Sequence, residues 1–191
     1  IAEVAADLGV KPAQIRSLVE NLHEFNPMLG HRGCRLGITY PEITKMQATA
    51  IFEAACSVAR KTKKKPHPEV MIPLIATSEE FRLQELIVRE AAEEVFARNK
   101  MRIPYLVGTM IELPRAALVA DEVAKHAEFF SFGTNDLTQT TFGISRDDGG
   151  KFIPFYCESG IFPDDPFNSI DTVGVGRLMD IAVNDGRKTR P

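Results

Sequence analysis

With 191 residues, 44% of them hydrophobic, the chain can bury a sizeable core, which argues against intrinsic disorder. A net charge of -3 and a pI near 5.9 give no global attraction to nucleic acid or to an anionic membrane, so an anion bound here needs a local site and the expected partner is small. No apolar run approaches the roughly 18 residues of a membrane span. Cys34, Cys56 and Cys157, odd in number and without a C-x-x-C pair, suggest neither a disulfide framework nor a zinc site and fit a reducing cytoplasmic or organellar setting.

A helix is predicted over residues 12–22, where Ile15, Leu18, Val19 and Leu22 recur at helical spacing behind Pro12, a residue suited to a first turn. The following stretch, Asn26-Pro-Met-Leu-Gly-His-Arg-Gly-Cys-Arg-Leu-Gly-Ile38, is rich in Gly and Arg and reads as a loop or short strand. Thr39 and Glu42 make a T-x-x-E capping box for a helix to about Lys61, closed by the basic run Lys61-Thr-Lys-Lys-Lys-Pro66. Residues 70–76 form an apolar run of strand length, and Thr77 with Glu80 makes a second capping box, for a helix to about Arg98. Residues 105–111 are the next buried-type run, with Glu112 and Leu113 after it and a helix from about Pro114. Residues 129–133 are the third. Residues 147–171, with Gly149, Gly150, Pro154, Gly160, Pro163 and Pro166, read as a long irregular excursion, and Val173, Leu178, Ile181 and Ala182 as a last helix ending near Gly186. Strand, capped helix, strand, helix, strand is the pattern of a parallel α/β sheet with helices outside.

In such sheets the ligand site lies at the strand C-termini. Glu112 directly follows one apolar run, and Asn135 with Asp136 follows another. Two carboxylates from separate strand ends suit Mg²⁺, which takes one or two carboxylates and completes its octahedron with water and substrate oxygens. Gly133 would let backbone approach an oxyanion, Thr134 and Asn135 could donate to it, and Arg32, Arg35 and Arg146 are candidate anion clamps. Taken alone, Glu112 also fits a carboxylate complementing a helix dipole, and Asn135-Asp136 a turn or N-cap. Cys34, between Gly33 and Arg35, reads either as a thiol whose pKa the arginines depress or as a small buried residue.

Three ordered blocks carry a resemblance. The stretch from Asn26 to Ile43, Val107-Gly-Thr-Met-Ile-Glu-Leu-Pro-Arg-Ala-Ala-Leu118 and Ser131-Phe-Gly-Thr-Asn-Asp-Leu-Thr-Gln139 resemble the C-terminal barrel of the phosphoenolpyruvate-utilising enzymes, and residues 146–167 look like the dikinase branch of that family. The resemblance covers essentially the whole chain. It implies part of a (β/α)8 TIM-type barrel, about the middle four of its eight strands, that binds phosphoenolpyruvate (PEP) or pyruvate with Mg²⁺. It implies Mg²⁺ ligands at Glu112 and Asp136, and substrate binding by Arg32, Gly133, Thr134, Asn135 and Arg146. The implied chemistry is loss of a proton from pyruvate to an enolate, whose oxygen takes a phosphoryl group from a phosphohistidine. That histidine belongs to a swivelling domain of the same full-length chain. In the whole enzyme this would convert ATP, pyruvate and phosphate to AMP, PEP and diphosphate.

The family also supplies two arginines from strands upstream, and a Cys-Gly-Glu loop just past Pro191 whose cysteine moves the substrate proton; none of Cys34, Cys56 and Cys157 matches it. No histidine here matches the phosphorylated one, and the swivelling and ATP-grasp domains are not in this sequence. The chain is therefore expected to be a piece of the barrel, inactive alone, from a protein expected to form a homodimer. Alternatives are PEP synthase or Enzyme I of the sugar phosphotransferase system, a Mg²⁺-dependent pyruvate-enolate lyase, and a non-catalytic module.

Overall fold

The computed structural model describes residues 1–21 and 28–191, in two compact units, Ile1–Arg32 and Gly33–Pro191. In the first, α1 (Ala2–Asp7) and α2 (Pro12–Asn21) are joined through Gly9. The predicted helix forms, its entrance held by the Lys11 N–H donating to Gln14 Oε1 at 3.0 Å. It buries none of its residues, and Leu18 and Val19 are exposed. Leu22, Asn26 and Pro27, assigned above to the helix end and the following stretch, lie outside the described residues.

The second unit is built on three parallel strands, β1 (Glu69–Ile72), β2 (Leu106–Ile111) and β3 (Phe130–Phe132), in the order β1-β2-β3. Val70 pairs with Val107 and Ile72 with Thr109, while Thr109 pairs with Phe130 and Ile111 with Phe132. The register brings the C-terminal ends of β2 and β3 level. The α/β class and parallel sheet are as expected; a fourth strand is not found among the described residues.

The Gly- and Arg-rich stretch is helical where it was expected to be loop or strand: α3 spans Cys34–Thr39. Its polar and glycine residues mislead because Cys34 and Gly37 are buried against other parts of the unit, a packing no local pattern encodes. The next helix, α4 (Pro41–Thr62), starts without the Thr39–Glu42 capping box. Its N-cap is Tyr40 with Pro41 in the first turn, and the Thr39 hydroxyl instead donates back to the Arg35 and Leu36 carbonyls at 3.1 and 3.2 Å. Proline's fixed φ starts the helix one residue later than the box requires.

The second box is present. The Glu80 N–H donates to Thr77 Oγ1 at 3.1 Å and the Thr77 N–H to Glu80 Oε2 at 2.8 Å, opening α5 (Ser78–Asn99). Strand β1 is shorter than the apolar run because Pro73 offers no N–H to extend the ladder. Phe52 of α4, Phe96 of α5 and Tyr105 pack edge to face, with Phe52 centroids 5.5 and 4.8 Å from the other two. Burying a side chain of that size contributes roughly 1.5–3 kcal/mol.

After β2 the helix is split at Val119 into α6 (Pro114–Leu118) and α7 (Ala120–Ala124). After β3 comes α8 (Thr134–Phe142). The excursion is more ordered than its composition implied. It contains α9 (Arg146–Gly149) and α10 (Ile153–Glu158), and Phe162 packs at 5.5 Å on Phe142 and 5.1 Å on Tyr156. Asp171 accepts the N–H groups of Val173, Gly174 and Val175 and so caps the entrance to α11 (Val175–Thr189), which runs past Gly186.

At the N-terminal ends of β2 and β3, Glu128 Oε2 accepts the Val107 N–H at 2.7 Å and Arg89 Nη2 at 3.0 Å, while Arg89 Nε reaches Glu85 at 2.7 Å. Partial burial pushes the Glu128 carboxyl up, but these two donors outweigh it and hold it below the ordinary glutamate value. A carboxyl depressed in the folded state stabilises at pH above its unfolded value, about 4.3, and loses that contribution as pH falls through its folded one. Glu128→Gln in the full-length protein is thus expected to destabilise by about 1 kcal/mol at pH 7 and by much less at pH 3. Urea unfolding at both pH values checks this, and an equal loss at both would contradict it.

Candidate functional site at the ends of two parallel strands

Glu112 leaves the C-terminal end of β2 only 5% exposed. A carboxylate taken out of water needs donors. One is the Leu74 N–H, which donates to Glu112 Oε1 at 2.6 Å from the segment following β1. On the other side is Gly133: a Cβ there would stand 2.6 Å from Glu112 Oε2 and 2.8 Å from Glu112 Cβ. Gly133 is fixed in turn by its N–H donating to the Ile111 carbonyl at 3.1 Å. The Glu112 carboxyl therefore lies in contact with the residue from which α8 begins.

That helix changes the expected setting of the other polar residues. Thr134, Asn135 and Asp136 form the first turn of α8, so Asn135 and Asp136 are neither a turn nor the N-cap, which is Gly133. Thr134, Asn135 and Asp136 thus follow directly on the residue that touches Glu112, at the positive end of a helix dipole. Gln139, buried one turn on, donates from Nε2 to Asp136 Oδ1 at 3.3 Å and accepts the Arg146 N–H on Oε1 at 2.8 Å. Arg146, the first residue of α9, donates from Nη1 to Asn135 Oδ1 at 3.1 Å, and its guanidinium lies 5.9 Å from the centre of the Phe167 ring. With its oxygen engaged by Arg146, the Asn135 amide has its NH₂ as the remaining donor. Thr134, Asn135, Thr138, Arg146 and Phe167 help line a cavity of about 300 Å³.

Arg32 is the last residue of the N-terminal unit. There its N–H donates to the Gly30 carbonyl at 3.1 Å and Nη1 to the Met28 carbonyl at 3.3 Å. Arg35 lies in α3. The thiolate reading of Cys34 is overturned. Burial and the nearby Glu80 push its thiol up to about 12 despite Arg35, and its Sγ donates to the Leu74 carbonyl at 3.2 Å. It is a packed, protonated residue.

Among the described residues no group of three or more His, Cys, Asp or Glu side chains converges in a way that could hold a metal. The Glu112–Asp136 pair is a smaller set, within the one or two carboxylates Mg²⁺ uses alongside substrate and water. Two contributors had no clear sequence signal. Gln139 became readable only once residues 134–142 were helical, since it lies one turn from Asp136. Leu74 was hinted at by Pro73, which interrupts the apolar run.

The sequence matches the model of the family described as PEP-utilising enzyme, PEP-binding domain, over residues 5–190. The chain belongs to this family. The chain is 53% identical over 190 residues to a pyruvate, phosphate dikinase of Clostridium symbiosum, 55% over 191 to a chloroplastic one of Arabidopsis thaliana and 56% over 190 to one of Rhizobium meliloti. Each alignment covers 100% of the chain but only 22, 20 and 21% of the respective relative, so it spans about a fifth of their length. No helix of the described residues is long and apolar enough to cross a membrane.

The contact between Gly133 and Glu112 is open to a direct test. Met110 Sδ, also 2.6 Å from a Cβ at Gly133, belongs to a flexible unbranched side chain and can yield, whereas Glu112 is anchored by Leu74. Gly133→Ala is expected to destabilise by about 1–3 kcal/mol. In a Glu112→Ala background that cost should fall by at least about 0.5 kcal/mol, because the carboxyl oxygen that would stand at 2.6 Å is gone and only the β-carbon contact at 2.8 Å is kept. Urea unfolding of the four proteins measures the coupling; strictly additive effects would contradict the contact.

Proposed function

We propose that this chain is the substrate-binding part of a pyruvate, phosphate dikinase, part of a (β/α)8 barrel in which Glu112 and Asp136 hold Mg²⁺ and the first turn of α8 holds PEP or pyruvate. The observation that carries the reading is the seating of Glu112 against Gly133, which joins the end of β2 to the helix start bearing Asp136. The relatives named pyruvate, phosphate dikinase support the dikinase reading over the other branches, with identity above half along the chain. The sequential parallel order β1-β2-β3 is that of neighbouring strands in a barrel wall, an order that one half of a doubly wound sheet shares, so the barrel reading rests on the family.

In this reading the full-length protein interconverts ATP, pyruvate and phosphate with AMP, PEP and diphosphate, through a phosphohistidine on another domain. When bound, Mg²⁺ supplies Lewis-acid stabilisation of the negative charge that develops on the substrate oxygen as pyruvate becomes an enolate. The residues of the chain bind and orient. The opening N–H groups of α8, with Thr134 and the NH₂ of Asn135, hold the substrate's carboxylate or phosphate. Arg146 fixes Asn135 through the 3.1 Å bond and adds positive charge nearby. Gln139 keeps Asp136 and the backbone of Arg146 in one arrangement. Arg32 is assigned to the substrate's anionic groups. In this reading a group elsewhere in the full-length protein moves the proton on the substrate carbon, and the 191-residue chain alone is expected to be inactive.

Glu112→Ala and Asp136→Ala in the full-length protein are each expected to lower pyruvate-dependent PEP formation by about 100-fold or more, with the far-ultraviolet circular dichroism unchanged. A steady-state assay of PEP formation over a Mg²⁺ series checks this. Turnover within about twofold of wild type in either variant, at the same Mg²⁺ dependence, would sink the reading.

A further inference from the structure

The carboxylate at the centre of the site is oriented by a residue that motif matching does not single out. Leu74 has φ of 61°, in the left-handed region that bulky residues rarely occupy. Such a conformation persists only where the surroundings over-determine it. Here they do. The Leu74 side chain is 1% exposed in the core. The preceding Ile72 carbonyl accepts from Thr109 Oγ1 at 2.7 Å, and the Pro73 carbonyl accepts from the Cys34 N–H at 3.1 Å. Leu74 itself is tied at both ends of its backbone. Its N–H donates to Glu112 Oε1 at 2.6 Å and its carbonyl accepts from Cys34 Sγ at 3.2 Å. On its far side Gly33, also at positive φ, clears the space, since a Cβ there would stand 2.8 Å from Leu74 Cβ.

We propose that Leu74 is a positioning residue for Glu112. Its left-handed backbone turns one N–H from the end of β1 onto the carboxyl at the end of β2, and so sets the direction in which Glu112 faces the first turn of α8. The side chain of Leu74 serves this by anchoring the turn in the core, and the Cys34 thiol by holding its carbonyl. This role rests on the proposed use of Glu112 as a divalent-cation ligand, and it explains why a turn with no acidic, basic or hydroxyl side chain carries backbone strain beside that residue.

The role turns on backbone conformation, and substitutions at one position separate it from packing. Glycine adopts positive φ without strain, whereas a β-branched residue resists it. Both Leu74→Gly and Leu74→Val remove buried leucine atoms, so both are expected to unfold at lower temperature than wild type. Mn²⁺ binding to the full-length protein, with saturating pyruvate and followed by the electron paramagnetic resonance signal of free Mn²⁺, distinguishes them. Leu74→Val is expected to weaken Mn²⁺ binding by about tenfold or more, while Leu74→Gly stays within about twofold of wild type. If the valine variant does not fold, Leu74→Ala, which also places a Cβ at positive φ, takes its place. Equal Mn²⁺ affinity in all variants would overturn the proposal, and so would a glycine variant as weak as the β-carbon variant. Glu112→Gln is the control. If it leaves Mn²⁺ binding unchanged, the metal reading itself falls, and the role of Leu74 with it.

Discussion

Burial of one carboxyl group is the constraint on which the candidate site depends. Glu112 is placed at the end of a parallel strand with 5% exposure, and a carboxyl group so enclosed must be met by hydrogen-bond partners and shaped neighbours. The first strand's connection supplies an N–H through Leu74, and the third strand's connection supplies room through Gly133. The segments after three adjacent strands thus meet at a single side chain. The parallel register makes the meeting possible, since it brings the ends of β2 and β3 level and ends β1 opposite Thr109, two residues before the end of β2.

The two ends of the sheet divide the work. At the N-terminal ends, Glu128, Arg89 and Glu85 form a bonded set that ties a helix to the starts of β2 and β3. At the C-terminal ends, the polar groups converge on a helix start and on Arg146, an arrangement suited to binding an anion. Strain sits at this end too, at Leu74. Such an asymmetry is the one expected of parallel α/β sheets, in which binding groups collect where the strands finish.

Much of this was legible from residue order. Apolar runs marked three strands, Thr77 with Glu80 marked the start of α5, and strand-end position singled out Glu112 and Asp136 before any geometry was known. What escaped depended on contacts distant in sequence. Cys34 looked electrostatically activated because Arg35 is its neighbour in the chain, yet its burial and Glu80, 46 positions away by residue number, dominate. Thr39 looked like a cap until Pro41 fixed a later start. The excursion looked irregular because its glycines and prolines are visible in sequence, while the packing of Phe142, Tyr156 and Phe162 is not. The left-handed turn at Leu74 is imposed by its partners in space, and only Pro73 hinted at it.

The central claim is that Glu112 and Asp136 share one divalent cation. Anomalous diffraction at the manganese edge, from crystals of the full-length protein grown with Mn²⁺ and pyruvate, tests it most directly. A single peak is expected about 2.0–2.3 Å from one carboxylate oxygen of each residue. A peak that lacks either residue as a ligand, or one located away from the end of β2, would contradict the claim.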